Sequence, residues 1–548
     1  MGVTLIGAQF AALYIVSYAL WKVFGRVFVK GDLARVPGPP SESYFKGVFA
    51  RVFDPNGWDF HRMMWDTYGP VIKLKGLFGD DVLYTYDPKA MHHILVKDQN
   101  VFQPSESILT SLTLVFGDGG LMGTAGNKHK RQRKLLNPVF SITHMRQMVP
   151  MFHDISHKLE KSLLNQVKNG AEEIDMGFWI GRTALELIGQ AGFGHSFDDL
   201  SEEYHEHGYS SALKRLVPAA FKLSFFRMFF LKPLSRLGPA KFRRMLVGFA
   251  PIKALRDMRD IVDILQKTSL EIYEEKKRAL LAGDQKVAEQ MSRGTDILSI
   301  LMKQNMEAPE DDQLEEEEIH DQISTFTFAG MDTTSNGISR TLWLIAQNKD
   351  VQAKLRAEIR EAMRNAGGDI PYDVLVSLPY LDAICRETLR MYPPVYQVFR
   401  ETREDTVLPL SRPVTLTSGR TTSEIMVPNG TKCIISLIAS NRSAEIWGPD
   451  SHEWKPERWL GEMREEIVSA KLPGIYSHLM TFGGGGRACI GFKFSQLEMK
   501  AVLATLISRF EFSVAKEVVW QMTNVVVPVL KGGDPTKPTL PLMVSLVK

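Results

Sequence analysis

The sequence predicts one large, mainly α-helical domain with a small β lobe near its N-terminal end, preceded by a single transmembrane helix. Three observations carry this. The chain opens on an uncharged, largely apolar run. Helical patterning recurs at 58–68, 127–136, 211–244 and 319–334, whereas strand patterning is confined to a short interval at 71–86. No Pro/Gly/Ser-rich linker divides the chain after its first 40 residues, so its 548 residues, 44% hydrophobic, read as one body in spite of their length.

From Met1 to Trp21 there is no charged residue, and Val3–Leu20 is followed by Lys22, Arg26, Lys30 and Arg35. A run of this length spans a bilayer when tilted, and the basic flank predicts a cytoplasmic body. A cleaved signal peptide is the rival, but the charged start and a small-residue cleavage site are missing. Residues 1–30 are therefore expected to be a membrane anchor. Residues 31–41, with Val36-Pro37-Gly38-Pro39-Pro40, form a stiff extended hinge. Residues 42–548 form the body. In it, Trp58–Tyr68 reads as a helix and Val71–Tyr86 as short strands broken at Gly76 and at Gly79-Asp80-Asp81. Sequons at Asn429 and Asn441 are expected to stay unmodified on the cytoplasmic side.

The net charge of +3 gives no support for nucleic-acid binding. Three cysteines, 385, 433 and 489, without a C-x-x-C pair, exclude a disulfide scaffold and a Cys-rich zinc site. Cys385 and Cys433 are expected to be small buried hydrophobes.

Cys489 is different. It lies in Phe482-Gly483-Gly484-Gly485-Gly486-Arg487-Ala488-Cys489-Ile490-Gly491. Glycines let the main chain turn its N–H groups toward a thiolate, Arg487 offers fixed donors to an anion, and Phe482 walls off water. Upstream, His129 and Arg133 stand at i,i+4 on one helical face and can clamp a carboxylate. The acidic run Asp311–Glu318 reads as a solvated helix start. Its helix runs on to Ala329-Gly330-Met331-Asp332-Thr333-Thr334, where small residues let a flat ligand approach. Glu387 and Arg390 are spaced i,i+3 ahead of the helix-ending Pro393-Pro394. Ser211–Arg244 holds nine Lys or Arg and no acid, interleaved with Phe221, Phe225, Phe226, Phe229 and Phe230, as at a membrane interface.

In their order, the motifs F-x-x-G-x-R-x-C-x-G, A-G-x-D-T-T, E-x-x-R and Pro456-Glu457-Arg458-Trp459 resemble those of the cytochromes P450, and the whole looks like a fungal microsomal member of secondary metabolism. The resemblance implies the P450 fold, a triangular helical prism, with 42–548 as the haem-thiolate catalytic domain. It implies haem b, with Cys489 as axial iron ligand. His129, standing where the family has Trp, together with Arg133, Arg487 and Arg400, would bind the haem propionates. Gly330 and Phe482 would line the cofactor, and Asp332 and Thr333 would deliver protons to bound O2. Glu387, Arg390 and Arg458 would form a structural network.

The implied activity is monooxygenation of a lipophilic substrate, a terpenoid, triterpenoid or sterol, with an aromatic xenobiotic as the alternative. No nucleotide or flavin segment is present, so electrons from NADPH would arrive through a separate cytochrome P450 reductase. Lys128, Lys130, Arg131 and Lys493 are candidates for its docking face. A P450-fold isomerase or dehydratase, or a haem sensor, would need no reductase.

Overall fold

The computed structural model describes residue 17 and residues 31–203, 207–223, 226–281 and 296–547. The anchor expected over 1–30 therefore lies outside the described residues. Among those described, no helix is long and apolar enough to cross a membrane. The chain divides into two compact units.

The first unit holds residues up to Val52, Gly57–Gln103 and Phe399–Ile435. Helix α1, Trp58–Tyr68, has the expected bounds and stops at Gly69, whose φ of +73° suits a residue without a β carbon. The strands expected around Gly76 are Val71–Lys75 and Asp81–Thr85, paired antiparallel. They open a five-stranded sheet that continues through Lys432–Ser436, Gln397–Thr402 and Phe102–Gln103. Ile72, Leu74, Leu83 and Tyr84 fill its core, and α1 is pinned to it by the Trp65 indole, which donates to the Tyr84 hydroxyl at 2.8 Å.

The proline segment lies against this sheet. Its backbone is extended, as proline requires. Lys73 N–H donates to the Pro37 carbonyl at 3.0 Å. A β carbon on Gly38 would stand 1.8 Å from the Lys73 carbonyl oxygen, so glycine is needed for the approach.

The second unit is mostly helical. Its site-bearing helices are α2 (Glu106–Phe116), α3 (Gly126–Val139), α4 (Ile142–Val167), α5 (Met176–Phe193), α6 (Gly208–Lys222), α7 (Glu316–Gln347), α8 (Pro379–Met391) and α9 (Phe492–Arg509). A three-stranded sheet, in the order Phe510–Val514, Pro541–Leu546, Glu172–Asp175, flanks them. Helix α7 is buried along most of its 32 residues. It packs against α5, where Gly330 meets Ile188, and α9 packs against α4 through the rings of Phe494 and Phe152, 5.0 Å apart.

The start of α7 departs from expectation. The helix begins at Glu316 in a capping box between Glu315 and Glu318. The acidic first turn favours the helix dipole as anticipated, but Glu318 is buried rather than solvated. It accepts from Arg131 at 2.6 Å and Gln132 at 3.0 Å, with Lys128 at 3.5 Å. These α3 partners neutralise and bond the carboxylate, which lets it leave water. Arg131, expected to be exposed for docking, is half-buried in this pair, whereas Lys128 and Lys130 remain exposed.

Candidate active site

The strand Leu479–Gly484 leads into a turn at Gly485–Arg487, and α9 starts three residues after Cys489. Gly483 and Gly485 have φ of +67° and +69°, a region that strains any residue with a β carbon. A β carbon on Gly484 would lie 2.2 Å from the Pro473 carbonyl oxygen. The loop closes where Cys489 N–H donates to the Phe482 carbonyl at 2.8 Å, and the Phe482 ring meets Tyr476 and Phe492 at 5.5 and 6.1 Å.

Cys489 is open to a solvent-sized probe, yet so closely walled that burial pushes its thiol up, against the Gly491 N–H and the Arg133 charge, which pull it down. The sulfur thus lies in a cleft, reached by solvent yet crowded by protein. Cys385 and Cys433 are fully buried, and burial raises their thiols to about 12.

Beside the sulfur stand two guanidiniums. Arg133 of α3 donates to the Ala488 carbonyl at 2.9 Å, and Arg487 donates to the Thr124 carbonyl at 2.6 Å. Burial lowers both. Arg487 falls to about 10, with the Arg133 charge adding to the effect. No carboxylate of the described residues pairs with either. His129, buried one turn before Arg133, is on the same helix. Two desolvated cations in each other's field are costly unless an anion joins them. A cleft with a thiol at its floor and paired cations at its edge fits an iron porphyrin bearing two carboxylates. Arg400 stands on the strand Gln397–Thr402 and donates to the Phe399 carbonyl at 2.7 Å, in the first unit.

On α7, Ala329 is exposed in the middle of an otherwise buried helix. A β carbon on Gly330 would make only ordinary contact with Ile188, at 3.4 Å. The Thr333 hydroxyl donates to the Ala329 carbonyl at 2.8 Å, and the Asn336 amide to the Asp332 carbonyl at 2.7 Å. Such side-chain bonds to the preceding turn loosen a helix locally. The Asp332 carboxyl is raised to about 6 by burial, partly offset by the charge of Lys214.

Glu387, Arg390 and Arg458 come together as expected. Arg390 grips both Glu387 oxygens at 2.8 Å, and neither side chain has any exposure. Arg458 approaches Glu387 at 3.5 Å and holds Asp450 at 2.9 Å. Several partners escaped the sequence. The Trp459 indole donates to Glu387 at 2.9 Å, so this residue is a member of the network. Arg390 also donates to the carbonyl of Asn441 at 2.9 Å. The Asn441 side chain then holds Met480 N–H at 2.8 Å and the Thr481 hydroxyl at 2.9 Å, on the strand that feeds the cysteine turn. Asn441 is fully buried, which removes it as a glycan acceptor whichever compartment the body occupies.

Comparison with known proteins completes this picture. A family model described as Cytochrome P450 matches residues 37–532, and the class so defined is the oxygen-using, haem-dependent oxidoreductases. "Cytochrome P450 monooxygenase 91" of Postia placenta is 48% identical over 542 residues, 98% of this chain and 99% of the relative. "Ganoderic acid synthetase CYP5150L8" of Ganoderma lucidum is 42% identical, over 96% and 97%. "Cytochrome P450 monooxyhenase eriI" of Hericium erinaceus is 35% identical, over 98% and 97%. The chain belongs to the cytochrome P450 family, as a monooxygenase.

Proposed function

We propose that this chain oxygenates a lipophilic terpenoid, with Cys489 as the iron ligand and electrons delivered from NADPH by a separate reductase. The observation that carries the reading is the solvent-reachable sulfur beside two guanidiniums that lack a carboxylate partner among the described residues. The name of the Ganoderma lucidum relative, a ganoderic acid synthetase, favours a triterpenoid over an aromatic xenobiotic.

Bound haem supplies the activation of O2 and the insertion of one oxygen atom into a C–H bond. The protein's part is to hold, orient and protonate. Arg133, Arg487 and His129 hold the propionates, and Phe482 shields the sulfur. Ala329 and Gly330 leave room for a flat group against α7. Asp332, nearly neutral in its preference, takes a proton from solvent, and Thr333 aims it into the groove.

Two outcomes follow from the last pair. The Asp332 carboxyl is raised in the folded chain, so it is protonated below about pH 6 and charged above. Its contribution to stability is fully present below the ordinary carboxylate value and is lost as pH rises through about 6. Turnover is expected to carry a limb that falls as pH rises through that value, and Asp332→Asn is expected to flatten it. A limb unchanged in the variant would assign the titration elsewhere. For Thr333→Ala, NADPH consumption persists while product per NADPH drops by about 10-fold or more, on the scale of a lost proton-transfer group, with peroxide released. Tight coupling in that variant would remove Thr333 from the role.

The setting follows from chemistry at both ends of the chain's apolar surface. Residues 1–30 anchor the protein in the endoplasmic reticulum membrane, with the body cytoplasmic. Phe221, Phe242, Met245 and Phe249 are exposed among Arg215, Lys222, Lys241 and Arg244, a composition that suits the interface of an anionic bilayer. Lys128, Lys130 and Lys493 are the docking cations for the reductase. The direct test is the carbon monoxide difference spectrum of the reduced membrane fraction, followed by turnover of triterpenoids with reductase and NADPH. A spectrum without the thiolate-ligated band from folded protein would end this reading.

A further inference from the structure

Of the cations between residues 211 and 244, Arg227 turns inward. It lies in the helical turn Arg227–Leu231. Its Nε donates to the Ser111 hydroxyl at 3.1 Å, and Nη1 reaches the Ala220 carbonyl at 3.4 Å, a long bond. Ser111 is on the buried face of α2 and donates its own proton to the Ser107 carbonyl at 2.7 Å, so toward Arg227 it acts purely as acceptor. Among the described residues, Nη2 has no acceptor and Nη1 has only that long bond. No carboxylate among the described residues pairs with this guanidinium, and burial lowers its pKa.

Helix α2 also meets α7 at the groove. Phe116, five residues beyond Ser111, is buried and packs on Phe328 with ring centroids 5.0 Å apart. Phe328 immediately precedes Ala329, the exposed residue of α7. Five residues of helix rise about 7.5 Å, so Arg227 meets α2 that far along its axis from the ring that packs beside Ala329. A half-buried cation within about a turn and a half of α2 from the groove is stabilised by an anionic acceptor that arrives with the ligand.

We propose that Arg227 is a specificity-determining residue that pairs with a carboxylate carried by the substrate at the end remote from the oxidised carbon. This rests on the groove at Ala329 being the substrate site. The substrate class it selects is an elongated, acid-bearing lipid, a terpenoid acid in the reading above. Ser111 fixes the guanidinium plane so that its outer edge faces the incoming group in bidentate fashion.

The test uses the haem-loaded full chain and two matched ligand pairs: a tetracyclic triterpenoid carboxylic acid with its methyl ester, and hexadecanoic acid with its methyl ester. Dissociation constants are read from Soret titrations of wild type, Arg227→Gln and Arg227→Lys, each first shown to give an unchanged carbon monoxide spectrum. In wild type the acid of at least one pair binds about 10-fold tighter than its ester, as expected for a gained charge-assisted pair. Arg227→Gln abolishes that preference by weakening the acid alone, and Arg227→Lys keeps part of it. An acid preference that survives in Arg227→Gln, or that is missing from both pairs in wild type, overturns the proposal. The two readings separate cleanly. A preference confined to the hexadecanoic pair sustains Arg227 and removes the terpenoid, whereas equal binding of triterpenoid acid and ester, with no preference in the other pair, keeps the terpenoid and removes Arg227.

Discussion

Cys489→Ala yields a folded protein whose reduced carbon monoxide spectrum lacks the thiolate-ligated band and whose turnover falls to background. The loss exceeds the about 10–100-fold that outer-shell changes around a metal produce, because no other sulfur can replace it. Cys385 and Cys433 are sealed in the core, with thiols raised to about 12 by burial, whereas Cys489 faces a cleft with the Gly491 N–H and the Arg133 charge beside it. Thermal unfolding of the apoprotein separates this result from misfolding, since alanine at an accessible position leaves no cavity. Retention of the band would place the ligand on another residue.

Glu387→Gln has the second large effect, on assembly rather than chemistry. The carboxylate accepts from Arg390 twice, from Lys455 N–H at 3.0 Å, from the Trp459 indole and from Arg458. A glutamine keeps one acceptor oxygen and sets an amide donor against a buried guanidinium. Breaking a buried pair in this way costs about 3–5 kcal/mol, a large part of the 5–15 kcal/mol that holds a typical fold together. The expected result is a melting temperature lower by several degrees and a smaller fraction of chains that take up haem. The enzyme that does load should turn over at close to the wild-type rate. A variant with wild-type melting and loading but slow turnover would move Glu387 from scaffold to catalysis.

How much of this was legible in the chain depends on whether a residue's partner lies within its own segment. The bounds of α1, the two strands on either side of Gly76 and the end of α8 before Pro393-Pro394 follow from local periodicity and breakers, and the structure has them there. The Glu387–Arg390 pair is likewise set by i,i+3 geometry. Glu318 is the contrary case. It closes a mostly acidic run, which reads as water, and only α3, nearly two hundred residues earlier, explains its burial. Asn441 reads as a sequon because nothing nearby says that Arg390 and the strand ahead of Cys489 enclose it. Trp459 did leave a signal. An indole where a plain ring suffices brings an N–H that needs an acceptor when buried, and Glu387 is that acceptor.

Arg227 sits between these cases. Its basic, aromatic neighbourhood announces a membrane face, and eight other cations in the same stretch mask the one that turns the other way.

The docking of the proline segment on the sheet changes how attachment at the N-terminal end transmits orientation. Asp32 pairs with Arg420, Thr417 N–H holds the Arg35 carbonyl at 2.7 Å, and Lys73 holds Pro37. Leu33 and Val36 are buried, and Gly38 lies flush with Lys73. The stretch from Asp32 to Gly38 is thus a mount rather than a swivel. A pull on Gly31 is passed straight to the sheet of the first unit and is not taken up within the segment itself.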